Sequence, residues 1–86
     1  MQVIKITTTG LVRTGNTFVE SVNLVAGSDA ASIVLNDSLD GGGNDVGAAK
    51  AAANTSEESS MFGNVCQTGI YATLTGTAAV AYLYIQ

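Results

Sequence analysis

The sequence predicts an all-β fold: a single-domain β-sandwich spanning residues 1–86, jelly-roll-like in order or else a small barrel, with about seven short strands. Three observations predict it. Short runs of β-branched, aromatic and polar residues alternate with a period of two. Glycine- and asparagine-bearing turns interrupt those runs at roughly ten-residue spacing. The one stretch rich in a strong helix former, residues 46–53, is too short to hold as an isolated helix.

Val3-Ile4-Lys5-Ile6-Thr7 opens the chain as a strand, with Ile4 and Ile6 on one face and Val3, Lys5 and Thr7 on the other. Gly10 is expected to end it, and Thr14-Gly15-Asn16 reads as a turn. Residues 18–25 carry the clearest alternation. Phe18, Glu20, Val22 and Leu24 fall on one face, and Val19, Ser21, Asn23 and Val25 on the other. Residues 31–37 form a third strand. Ser38 to Asp45, centred on Asp40-Gly41-Gly42-Gly43-Asn44, is a turn or loop, with a long edge hairpin around it. Val46-Gly47-Ala48-Ala49-Lys50-Ala51-Ala52-Ala53 reads as a strand, with a short helix capped by Asp45 as the alternative. Ser59-Ser60-Met61-Phe62-Gly63-Asn64 is a short strand. Residues 69–75 and 79–85 both alternate and flank Gly76-Thr77, the pattern of a C-terminal hairpin.

Charge narrows the function classes. Three Lys and Arg face seven Asp and Glu, a net charge of -4. Lys5, Arg13 and Lys50 are scattered in sequence, so neither nucleic acid nor an anionic membrane is an expected partner. No run of apolar residues approaches a membrane span. The first residues lack the pattern of a signal peptide, which points to synthesis in a reducing cytoplasm. Only 12% of residues are charged against 47% hydrophobic. Much of the surface is therefore Thr, Ser, Asn, Gly and Ala, residues that lose little on close contact with a partner. A chain this small usually adds disulfides, a metal or oligomerisation to its core. Cys66 is the only cysteine and there is no histidine, so the expected route is oligomerisation or docking on a larger assembly.

Catalytic chemistry finds little footing. Cys66, expected to be a free and buried thiol, has no histidine to activate it. Adjacent Glu57 and Glu58 do not suit paired acid–base work in a strand, and Thr55 to Glu58 reads as a polar turn with capping-box spacing. Gly41-Gly42-Gly43 lacks the rest of a phosphate-binding pattern. Asp37, Asp40, Asn44 and Asp45 offer oxygens of the kind Ca²⁺ takes, without EF-hand spacing; a solvated Gly/Asp turn is the plainer reading. Asn36-Asp37-Ser38 and Asn54-Thr55-Ser56 match the glycosylation pattern by chance. Tyr71, Tyr82 and Tyr84 suit half-buried sheet positions or a binding face. No catalytic residue, cofactor, metal or small-molecule substrate is expected, and the chain is read as non-enzymatic.

Three stretches carry a resemblance: Leu11-Val12-Arg13-Thr14-Gly15-Asn16-Thr17, Ala48-Ala49-Lys50-Ala51-Ala52-Ala53-Asn54-Thr55, and Thr68-Gly69-Ile70-Tyr71-Ala72-Thr73-Leu74-Thr75-Gly76-Thr77. Together they resemble small virion structural proteins of tailed bacteriophages, and the likeness covers most of the chain. It implies a β-sandwich subunit present in many copies on the virion, a capsid decoration or cement protein bridging major capsid proteins, with a homo-oligomer such as a trimer as its form. A tail, neck or fibre-associated component, or a host-surface-binding module, is the alternative role. The resemblance brings no catalytic residues.

Overall fold

A computed structural model describes residues 2–86, with side chains for all of them except residues 60–64. Eight strands form: β1 (Gln2–Ile6), β2 (Gly10–Thr14), β3 (Thr17–Val25), β4 (Ala31–Asp37), β5 (Asn44–Ala51), β6 (Ser56–Cys66), β7 (Gly69–Thr75) and β8 (Val80–Ile85). They make two four-stranded antiparallel sheets, β1-β8-β3-β6 and β2-β7-β4-β5.

The register gives the logic of this order. Ala31 lies opposite Ala51, Gly10 opposite Ala72, and Phe18 opposite Val65. Each pair is centred within a residue of Gly41. The chain is one long hairpin bent at the glycine loop and rolled, so that successive strands cross between sheets. Only β4 and β5 are neighbours both in sequence and in one sheet. A rolled hairpin of eight strands in two sheets is the jelly roll, one of the ways antiparallel proteins limit exposed edges. The barrel alternative is set aside, because the sheets stay separate.

Several expectations need correction. Eight strands stand against the about seven expected, and the added one is β2: Gly10 begins a strand instead of ending one. β2 is short and its register shifts between Leu11 and Arg13, which blurs the alternation. Residues 69–75 and 79–85 are not a hairpin. β7 pairs with β2 and β4, β8 with β1 and β3, and the Gly76 turn carries the chain across the sandwich. The polar turn expected at 55–58 gives way to β6, which starts at Ser56 and runs well beyond the predicted strand. The turn ends at Thr55, whose N–H and hydroxyl both donate to the Ala52 carbonyl. Residues 46–53 resolve in favour of strand through residue 51, with Ala48 and Ala49 opposite Val34 and Ile33. The hairpin expected around the glycine loop is there, and β5 is an edge strand.

A bulge explains one misread face. The pairing of β3 shifts between Val19 and Ser21 at Glu20. One extra residue reverses the alternation, because side chains repeat every two residues. Val19, Val22 and Leu24 therefore all point inward and are fully buried, while Phe18 faces out.

The core lies between the sheets. Its largest fully buried side chains are Leu24, Ile33, Leu35, Ile70, Leu83, Ile85, Val19, Val22 and Cys66, and alanines fill much of the rest. The molecule is accordingly thin, 17 Å on its shortest axis. It exposes 4524 Å², where a folded monomer of its 8.7 kDa mass exposes about 4,700 Å². A single chain closes its own core.

Candidate interaction surface

The acidic loop is a self-contained hydrogen-bond network. Asn36 is buried and uses its full capacity. Its Nδ2 donates to the Gly43 carbonyl at 2.7 Å and to Asp45 Oδ1 at 2.9 Å. Its Oδ1 accepts from the Ser38 hydroxyl at 2.6 Å and from the Gly43 N–H at 2.9 Å. Ser38 Oγ in turn accepts the Gly41 N–H at 2.7 Å, and Asp40 Oδ1 accepts the Gly42 N–H at 2.9 Å. Gly41 sits at φ +89° with Tyr71 packed against it, and a side chain on Gly43 would run into the Asp37 carbonyl, so the two glycines are required for different reasons.

Asp37 faces the other way. Its carboxylate accepts backbone N–H groups from Gln67 at 3.1 Å and Thr68 at 2.9 Å, with Gly69 at 3.3 Å. These donors, Gln67 first and then Thr68, hold the carboxyl below the usual carboxylate range. The carboxylates of Asp37, Asp40 and Asp45 are thus directed to separate partners and do not converge. Among the described residues, no group of three or more His, Cys, Asp or Glu could hold a metal ion. Sequence reading found these residues but took them as one loop. The clamp from Asp37 to the β6–β7 turn, thirty residues away in sequence, has no local signal.

Cys66 ends β6, fully buried, and burial first, then the charge of Asp37, pushes its thiol pKa up. That is the environment of an inert thiol. Glu57 and Glu58 are exposed on β6 opposite Leu24 and Asn23. Of the glycosylation-pattern residues, Asn36 is buried in the loop network, and Asn54 sits in the β5–β6 turn at φ +61°.

The three tyrosines are half-buried and divide between the sheets. Tyr71 belongs to the second sheet, under the glycine loop. Tyr82 and Tyr84 stand on the outer face of the first. That face can be followed across the register. Val3 lies opposite Tyr84, which lies opposite Ser21; Lys5 opposite Tyr82, then Asn23, then Glu58; Val80 opposite Val25. At the end of β3, Phe18 and Val65 are cross-strand partners and both exposed, at 40% and 51%. Lys5 and Glu58 are the charges in these rows. The outer face of the second sheet has rows of Thr75, Ser32 and Lys50, and of Thr73, Val34 and Ala48. The second face also carries Leu11 opposite Tyr71 at its β2–β7 end, so the first face is the more aromatic of the two and the second mixes small polar residues with an apolar corner. The sandwich and these faces define a small all-β domain. In comparisons with known proteins, no family model, curated protein or solved structure matches the chain.

Proposed function

We propose that this protein is a non-enzymatic virion structural subunit, a capsid decoration or cement protein of a tailed bacteriophage that lays the outer face of its first sheet on the major capsid protein. The observation that carries the reading is that face: Val3, Phe18, Val65, Tyr82 and Tyr84 beside few charges, on a sandwich whose core is already closed. Patches of this kind, apolar at the centre with tyrosines, are typical of protein contacts. The resemblance of the 11–17, 48–55 and 68–77 stretches to small virion proteins supports the setting. The jelly-roll order supports it by analogy, since capsid domains and lectins use that architecture. Such a subunit acts by binding free energy alone. Each contact between neighbouring shell proteins adds to the work needed to pull them apart, and many copies sum the effect.

Quantitative mass spectrometry of purified particles tests this. The expected result is a copy number on the scale of the shell lattice. The small number held by a tail or neck ring, or absence from particles, would overturn it.

A further inference from the structure

The rolled hairpin separates charge between the two flanks of the sandwich. β1 and β2 are edge strands of opposite sheets, joined by residues 7–9, and form one flank. β6 and β5 form the other, joined by residues 52–55. Lys5 and Arg13, scattered in sequence, both lie on the first flank, and no carboxylate occurs among residues 2–14. Asp45, Glu57 and Glu58 lie on the second, beside Lys50, and all four are exposed.

We propose that copies of this chain associate head to tail, the β1/β2 flank of one against the β5/β6 flank of the next; this rests on the assembly role proposed above. Charge complementarity selects the pairing. Like flanks brought together would set Lys5 and Arg13 against their own copies, or the carboxylates against theirs, whereas unlike flanks attract. The first flank carries an open, mainly polar groove of about 230 Å³ in which Lys5, Thr7 and Thr8 stand beside Ile4, Leu11 and Val12, so the charge of Lys5 lies at its wall. Both flanks end in edge strands, the kind of strand to which another chain can add, and the chain has no proline to block such pairing. Because the two surfaces differ, the contact is heterologous: it closes into a ring if the rotation permits and otherwise continues as a filament.

Sedimentation velocity of the full chain, with circular dichroism to confirm folding, tests the contact. Wild type is expected to self-associate, more weakly as salt rises. K5E/R13E makes both flanks acidic and E57K/E58K makes both basic. Each alone is expected to lose at least about tenfold in association, the equivalent of about 1.4 kcal/mol. Mixed one to one, or combined in a single chain, they restore it. A wild-type monomer at high concentration overturns the head-to-tail contact; if that monomer still binds shells, the virion role stands without it. Self-association unmoved by either charge reversal also overturns it, and so does failure of the mixture to recover. A chain that self-associates as described yet is missing from particles keeps this contact and sinks the virion role instead.

Discussion

On its inner side the first sheet contributes Val19, Val22, Leu24, Leu83 and Ile85, while the second sets Ala31, Ala49, Ala51 and Ala72 around Ile33, Leu35 and Ile70. Their outer sides differ too. The first shows Phe18, Tyr82, Tyr84 and Val3; the second shows Leu11 and Tyr71 at its β2–β7 end, then Thr73, Thr75, Ser32 and Lys50, and holds the hydrogen-bonded loop at its β4–β5 end. One sheet supplies more of the core's bulk and remains apolar outside. The other lies close against it through alanines and is tied by polar side chains. The lesson is that the first sheet's outer residues are not required to close the fold, which leaves them available for contact.

The largest break in this asymmetry comes from the core. Leu83→Ala, in the bulky layer, is expected to lower unfolding free energy by about 3 kcal/mol in urea denaturation, through lost burial and a residual cavity. Ala72→Val, in the thin layer, is expected to cost about 2 kcal/mol for the opposite reason, because the sheets must part to admit two methyl groups. If Ala72→Val is neutral, the alanine layer is not close-packed.

Acid sharpens the polar side of the comparison. Asp37 is held below its unfolded value, which lies near about 4. Its contribution is therefore full above that range and is lost as pH falls through the folded value. Stability measured against pH should fall in acid for wild type. Asp37→Asn should be less stable at neutral pH and show a shallower decline; an unchanged profile would remove the clamp on the 67–69 backbone from the account. At the smallest scale, Tyr82→Ser and Tyr84→Ser on the first outer face should each change stability by less than about 1 kcal/mol. Cys66 should resist a thiol reagent at neutral pH in the folded chain and react on unfolding, since it is buried beneath the same turn.

Much of this was legible in the sequence, and the failures have physical causes. Residues 31–37 and 79–85 fall where expected, because each buries alternate residues over most of its length; in β4 the register shifts only near its end, between Leu35 and Asn36. The half-buried tyrosines follow from the same periodicity, and the buried thiol from the general tendency of a free cysteine to be buried. The Glu20 bulge was not legible, since an alternating pattern continues through it on paper while the pairing slips by one. Nor was the crossing of β7 and β8 to opposite sheets. A glycine turn between two alternating runs looks the same whether it closes a hairpin or spans a sandwich, and only long-range pairing decides. The candidate surface was half legible. Its tyrosines are named as a group, but Tyr71 belongs to the other sheet, and Phe18 is grouped on one face with Val22 and Leu24, which turn inward while it faces out.

The most direct test of the central claim compares the two outer faces in co-sedimentation with undecorated shells. The triple variant Phe18→Ser, Tyr82→Ser, Tyr84→Ser should lose at least about tenfold in affinity, while Thr73→Ala with Thr75→Ala should bind as wild type. Equal binding by both variants, or loss confined to the second-sheet variant, would contradict the account.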